Sequence, residues 1–396
     1  MKALLLENIH ADATPVLTGA GLEVATRPGS LAPEELLAAL DGVAVVGIRS
    51  NTKITREVIE AAPSSLLAIG AFCIGTNQID LAAAAQRGIA VFNAPYSNTR
   101  SVVELVLAEI IVMARRLFER SAATQAGEWD KSAVGSHEVR GRTLGIVGYG
   151  NIGSQLSVVA EAFGMRIVFY DLVDKLALGN AKRCDSLEEL LAISDVVSLH
   201  VDGRPGNAGL FGAEQFAAMK HRALFMNLSR GFVIDPAALA ANLRSGHIAG
   251  AAVDVFPTEP KLAGERFVSE LQGIPNTILT PHIGGSTMEA QVDIAHFVSG
   301  KLADYVVNGS TVMSVNLPEV APPPPQGRRV MHIHRNVPGV LAQINAALST
   351  HQANIAYQTL ATAGDIGYAV ADVTSAEPGL LERLEAIPDT IRVRIR

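Results

Sequence analysis

Thr143-Leu144-Gly145-Ile146-Val147-Gly148-Tyr149-Gly150-Asn151-Ile152-Gly153 is the stretch from which the fold of this chain is read. Its apolar start reads as a buried strand, and Gly153–Phe163 reads as the helix that follows. Between them Gly148 permits a tight turn, Gly150 lets the backbone approach a pyrophosphate, and Gly153 lets the helix pack closely on the sheet. The helix N–H groups and dipole then favour anionic phosphates. Asp171 stands at the end of the next strand, Arg166–Tyr170, where its carboxylate would accept hydrogen bonds from a ribose 2′-OH and repel a 2′-phosphate. No cation follows until Lys175, so the motif favours NAD over NADP.

Downstream, Val196–His200, Leu224–Asn227, Ala249–Val253 and Thr277–Leu279 read as further strands and Leu187–Ile193 as a helix, the rhythm of a doubly wound sheet. Upstream, apolar runs at Ala3–Leu6, Gly42–Ile48, Leu66–Ile69 and Ala90–Phe92 alternate with helical stretches at Pro33–Leu40, Arg56–Ala62 and Asp80–Arg87. Such alternation implies parallel βαβ units. One long helix, Ser101–Glu119, is expected between the two series. Past the proline-rich Val320-Ala-Pro-Pro-Pro-Pro-Gln-Gly connector, the order changes. Strand 328–334, helix 339–351, strands 354–361 and 367–373, helix 380–387 and strand 390–395 give βαββαβ, the ferredoxin-like order.

At 396 residues, 48% hydrophobic and 18% charged, the chain has the composition of a packed multidomain protein. A formal charge of −7 argues against nucleic-acid binding. Two cysteines, Cys73 and Cys184, make no disulfide framework and no zinc spacing, so no metal is expected. With no signal peptide and no membrane span in the sequence, a cytoplasmic setting is expected and no membrane partner.

Reducing a ketone with NADH requires a proton donor at the carbonyl oxygen and a cation for the substrate. Arg230 follows a buried strand, and its fork of donors matches a carboxylate. His282 suits acid–base work near neutral pH, and a carboxylate such as Glu259 would raise its pKa. Spacing alone does not make these three a catalytic set. Their case rests on lying at the carboxyl ends of strands, where ligands bind in such folds.

Asn227-Leu228-Ser229-Arg230-Gly231, Asp254-Val255-Phe256-Pro257-Thr258-Glu259-Pro260 and Pro281-His282-Ile283-Gly284-Gly285-Ser286, together with the glycine turn, resemble the D-isomer-specific 2-hydroxyacid dehydrogenases. Ile74–Asp80, Phe92–Val102 and Met331–His334 extend the resemblance along the chain, toward the branch that acts on 3-phosphoglycerate and carries a short C-terminal ACT domain. The resemblance implies an α/β architecture with a Rossmann-type doubly wound cofactor domain (98–284) inserted in a flavodoxin-like substrate domain (1–97 and 285–317). A proline-rich linker (318–327) and a ferredoxin-like ACT regulatory domain (328–396) follow. It implies NAD-dependent oxidation of D-3-phosphoglycerate to 3-phosphohydroxypyruvate, the first step of L-serine synthesis. Arg230 would anchor the substrate carboxylate, His282 would be the acid–base, and Glu259 would orient it. Asn151, Ile152, Asp171, Leu228, Ser229, Asp254, His282, Ile283, Gly284 and Gly285 would line the NAD site with Gly148, Gly150 and Gly153.

By the same resemblance Arg49 and Lys131 would bind substrate, although Asn51 stands where close bacterial relatives carry a second arginine. Trp129 would hook into a neighbouring subunit of a homotetramer. His334, Asn336 and Asn354 would hold L-serine as a feedback inhibitor, and 2-oxoglutarate would be a second substrate. Two rival readings remain at this point: a dehydrogenase of another D-2-hydroxy acid, and a non-catalytic NAD(H)-sensing binding protein.

Overall fold

Strands with both faces covered read as unbroken apolar runs, and Val43–Ile48 is buried along its whole length. It belongs to the first of two units in the computed structural model, which describes residues 1–260, 264–375 and 378–396. One unit comprises Met1–Ser97 with Gln291–Arg396, and the other comprises Asn98–Ala290.

The first unit begins β1 (Lys2–Leu5), α1 (Ala13–Gly19), β2 (Glu23–Thr26), α2 (Pro33–Ala39), β3 (Val43–Ile48), α3 (Arg56–Ala61), β4 (Ala68–Ala71), α4 (Leu81–Gln86) and β5 (Ala90–Asn93). The five strands are parallel in the order β2-β1-β3-β4-β5. This is the flavodoxin-like order, whose topological switch point lies between β1 and β3. Strand β2 and helix α1 have no counterpart in the sequence reading, because β2 is an edge strand whose side chains are mostly exposed.

In the second unit, α5 (Thr99–Ala114) and α6 (Leu117–Gln125) stand where the sequence suggests one helix. The break is at Arg116, which adopts a left-handed φ of 51° and pairs with Glu119 at 2.8 Å. No glycine marks the spot, and a non-glycine residue reaches that region only at a cost of about 1–2 kcal/mol. Then come β6 (Thr143–Val147), α7 (Asn151–Ala162), β7 (Arg166–Tyr170), β8 (Lys182–Arg183), α8 (Leu187–Ile193) and β9 (Val196–Leu199). The series closes with α9 (Ala213–Ala218), β10 (Ala223–Asn227), α10 (Pro236–Arg244), β11 (Ile248–Val253) and β12 (Thr277–Leu279). The parallel sheet runs β12-β11-β10-β9-β6-β7-β8, so its order reverses between β6 and β9.

Helix α11 (Met288–Asn308) leads back to the first unit, where β13 (Arg328–Arg335), α12 (Val340–Thr350), β14 (Ile355–Ala363), β15 (Ile366–Val373), α13 (Leu380–Glu385) and β16 (Thr390–Ile395) follow. The antiparallel order β14-β15-β13-β16 is ferredoxin-like. The proline-rich connector is stitched at both ends: Thr311 N–H donates to the Val320 carbonyl at 2.9 Å, and Gln326 N–H to Asp372 at 3.1 Å. The C-terminal sheet shares a core with the first one, Met331, Ile333, Tyr368 and Val370 packing in one cluster with Phe92, Leu302 and Tyr305. Arg394 lies over the Tyr305 ring at 4.5 Å, and Arg396 donates to the Val306 carbonyl at 2.7 Å.

The fork of Arg329 grips Asp372 at 2.6 and 2.7 Å with both side chains buried, and Arg329 also donates to the carbonyls of Asn308 and Pro323. Removing one partner strands the other charge. Asp372→Ala should destabilise this region by about 3–5 kcal/mol, read as lost hydrogen-exchange protection over 328–335 and 366–373 with Asn98–Ala290 unchanged.

Candidate active site

The glycine turn follows β6, at the reversal point of the larger sheet. Gly148 has φ +92°, and a side chain there would run into the His200 carbonyl from the end of β9. Helix α7 starts at Asn151 with no side chain capping it, leaving its first N–H groups for another acceptor. Gly153 is buried, while Gly150 and Asn151 are exposed and Ile152 half-buried. One oxygen of Asp171 accepts the Tyr149 N–H at 2.8 Å and the other the Val173 N–H at 3.0 Å, so its carboxylate is fixed beside the turn. Gly148, Gly150, Asp171, Lys175, His200 and Arg204 line one concavity. These features fit the pyrophosphate and diol ribose of a dinucleotide.

Arg204, absent from the sequence reading, also reaches this pocket. Asp202 holds it through both carboxylate oxygens, with contacts of 2.7 and 3.0 Å from Nε, so its charge is already matched. Burial pushes the His200 imidazole down to a pKa of about 4, and it stays neutral against Ser198.

The proton-transfer candidates meet at the other end of the same edge. His282 Nδ1 lies 2.9 Å from Glu259 Oε2. That bond raises the His282 pKa, against a smaller opposing effect of burial. Burial alone would raise the Glu259 pKa, but the bonds from His282 and from the Phe256 N–H outweigh it and hold Glu259 ionised. Arg230 acts electrostatically on both residues. Gly231 beside it must be glycine, since a side chain would collide with the Phe256 carbonyl.

The support beneath these groups has no counterpart in the sequence reading. Asn227, fully buried at the end of β10, accepts from both the Ser229 N–H and hydroxyl and donates to the Arg230 carbonyl at 3.1 Å. Leu228 and Ser229 are thereby buried. Asp254, expected at the NAD site, lies beneath the His282 turn with both oxygens engaged. It accepts from the Thr280 hydroxyl at 2.6 Å and from the Ile283 and Gly284 N–H groups at 2.8 Å. His282 itself has a left-handed φ of 55°, tied by its N–H to the Asp254 carbonyl at 2.9 Å. Ile283 is exposed, and Gly285 packs against Asn98. An asparagine or aspartate at a strand end is the signal for such turn-building side chains. Behind Asp254, Glu109 of α5 is buried with no hydrogen-bond partner among the described residues; burial, then the Asp254 charge, raises its pKa to about 8.

The remaining candidates lie elsewhere. Arg49 is half-buried at the end of β3, in the first unit. Lys131 is exposed in the second unit, 5.9 Å above the ring of Trp129, which is itself 76% exposed. His334 is buried at the end of β13 with its Nδ1 on the Arg335 carbonyl and its ring against Gly367. Asn336 donates to the Gly364 carbonyl and Asn354 to the Thr374 hydroxyl. Among the described residues no group of three or more His, Cys, Asp or Glu is placed to hold a metal, and no helix is long and apolar enough to cross a membrane.

Comparison with known proteins agrees with this geometry. Residues 107–284 match the D-isomer specific 2-hydroxyacid dehydrogenase NAD-binding domain, and 330–392 match the AHAS small subunit-like ACT domain. The chain is 50% identical to a D-3-phosphoglycerate dehydrogenase of Haemophilus influenzae, over 100% of this chain and 97% of the relative. It is 49% identical to the protein of that name from Escherichia coli K12, with the same coverage. The crystal structure of the TT0316 protein from Thermus thermophilus superposes with a TM-score of 0.69 at 34% identity, covering 77% of this chain and 97% of that one. With near-half identity sustained from end to end, and the glycine turn and the Arg230, Glu259 and His282 group on one sheet, the chain belongs to the D-3-phosphoglycerate dehydrogenase family of D-isomer-specific 2-hydroxyacid dehydrogenases.

Proposed function

We propose that the chain catalyses NAD-dependent oxidation of D-3-phosphoglycerate to 3-phosphohydroxypyruvate, the first step of L-serine synthesis. The observation that carries the chemistry is the His282–Glu259 pair, with Arg230 in electrostatic range, on the sheet edge that also bears the glycine turn. Held against the glycine turn and Asp171, NAD+ would supply the acceptor for the hydride that leaves the substrate C2. His282 takes the hydroxyl proton in oxidation and returns it in reduction, while Glu259 orients the ring and favours its protonated form. Arg230 grips the substrate carboxylate. Gly148, Gly150 and the first turn of α7 receive the pyrophosphate, and Asp171 the ribose. Leu228, Ser229, Ile283, Gly284 and Gly285 wall the nicotinamide end, with Asn227 holding the turn of the first two and Asp254 that of the last three. Arg49 and Lys131 supply charge to the phosphate, and a neighbouring copy in a homotetramer covers Trp129. L-serine binds at His334, Asn336 and Asn354 and inhibits.

The direct test follows NADH oxidation by the purified protein with 3-phosphohydroxypyruvate, 2-oxoglutarate or pyruvate, each with and without L-serine. Turnover of the phosphorylated keto acid, suppressed by serine, is expected. Binding of NADH with no turnover of any keto acid overturns the reading in favour of a dinucleotide-sensing protein. Serine inhibition should weaken in His334→Ala with the uninhibited rate retained.

His282→Gln should lower kcat by about 10²–10⁴-fold. Because the His282 pKa is raised, the wild-type reduction rate should fall as pH climbs through a value above 6.5, while oxidation rises across the same window. Glu259→Gln removes the largest cause of that shift. Both limbs should move to lower pH in rate profiles, and reduction at neutral pH should drop most.

A further inference from the structure

Ligands of open parallel sheets bind outside the carboxyl ends of the strands where the strand order reverses. In the first unit that place is the gap between the ends of β1 and β3, and the chain fills its floor in an unusual way. Glu7, two residues past β1, is only 6% exposed, yet among the described residues no cation is paired with it. Its carboxylate accepts the N–H groups of Arg49 at 3.1 Å, Asn51 at 3.0 Å and Thr52 at 2.8 Å, the loop that leaves β3. From the other side Gln78, 7% exposed, donates its amide to the Arg49 carbonyl at 2.7 Å. The Arg49 peptide is thus held at its N–H and at its C=O by two buried side chains more than 25 residues away in sequence on either side.

The backbone is strained by this arrangement. Glu7 and Asn8 both take left-handed conformations, φ 60° and 52°, which side-chain-bearing residues rarely adopt in succession. A turn that merely had to close would be served by a glycine, or by a short polar side chain bonding to its own backbone. Here a whole carboxylate is turned under a different loop, and three of that loop's peptide donors are occupied. They are therefore withheld from any anion above, and charge recognition is left to the half-buried Arg49 side chain.

We propose that Glu7 and Gln78 are positioning residues for substrate: together they fix the Arg49 loop at the β1/β3 switch point so that its guanidinium meets the phosphate of a phosphorylated 2-keto acid. This rests on the phosphoglycerate reading above. A carboxylate beneath an anion site costs some affinity by repulsion. Its benefit is orientation, because a pre-fixed fork loses little freedom on binding.

Steady-state reduction by the full chain separates the possibilities when 3-phosphohydroxypyruvate is compared with hydroxypyruvate, the same keto acid without phosphate. Glu7→Gln keeps the shape but places an amide donor against one of the three N–H groups. KM for the phosphorylated substrate should rise at least about tenfold. Its kcat, the KM for NADH and all constants for hydroxypyruvate should stay within about twofold. Gln78→Met should act in the same direction, and Glu7→Asp should recover part of the loss. In an Arg49→Ala background Glu7→Gln should add less than about twofold, since the group it positions is gone. Equal losses with both keto acids, additive effects in the Arg49→Ala background, or no change in KM would each overturn the assignment. If the wild type turns over neither keto acid, the substrate reading has failed on its own account. Titration with inorganic phosphate then decides the clamp: Glu7→Gln must weaken phosphate binding and Arg49→Ala must abolish it.

Discussion

Parallel strands joined by right-handed crossovers deliver every carboxyl end to one edge of the sheet, and this constraint organises all the chemistry of the chain. It brings the turn after β6, the loop after β10, the segment after β11 and the turn after β12 to one edge from positions spread over more than 130 residues. The same rule operates in the first unit, where β1 and β3 deliver Glu7 and Arg49 to neighbouring places. The sheets supply proximity, and the loops supply identity.

Proximity alone leaves side chains free to wander, and each loop here is restrained by a buried polar residue beneath it. Asn227 folds the Ser229–Arg230 turn, Asp254 folds the 280–284 turn, and Glu7 folds the 49–52 loop. In all three the polar group is satisfied by peptide N–H donors. The device relieves the penalty of burying a polar side chain while engaging loop donors that would otherwise need water. The residues that meet ligand are then free to be exposed, as His282 is.

The division between support and contact also explains what the sequence disclosed. The glycine turn, the strand–helix alternation and the βαββαβ tail are local patterns, and each is legible because periodicity and turn chemistry act over a few residues. Strand-end positions and the resemblance point to His282, Glu259 and Arg230; the structure bonds His282 to Glu259 and puts Arg230 in electrostatic range of both. Glu7 lies in no recognisable motif, and although Gln78 stands inside the Ile74–Asp80 stretch that carries the resemblance, nothing local shows that either residue bonds the Arg49 loop, 42–45 and 29 residues away. Arg116, where the long helix breaks, is equally silent, because only its backbone angle distinguishes it from a helical arginine. Strand β2, polar and at an edge, lacks the apolar run by which its neighbours announce themselves.

Glu109 gives the cofactor-binding unit a second relationship with protons, apart from catalysis. Its folded pKa of about 8 lies above the ordinary carboxylate value of 4.5, so folding draws a proton from solvent. Stability from that group is complete below pH 4.5 and is surrendered as pH climbs toward 8. The oxidation reaction pulls the other way, since the fraction of His282 present as free base rises with pH through its own raised pKa. Glu109 lies behind Asp254, which holds the His282 turn, so the two proton equilibria bear on one loop in opposite senses. Alkaline pH thus favours the free base at His282 up to its own pKa while, toward pH 8, costing the fold the stability that protonated Glu109 contributes.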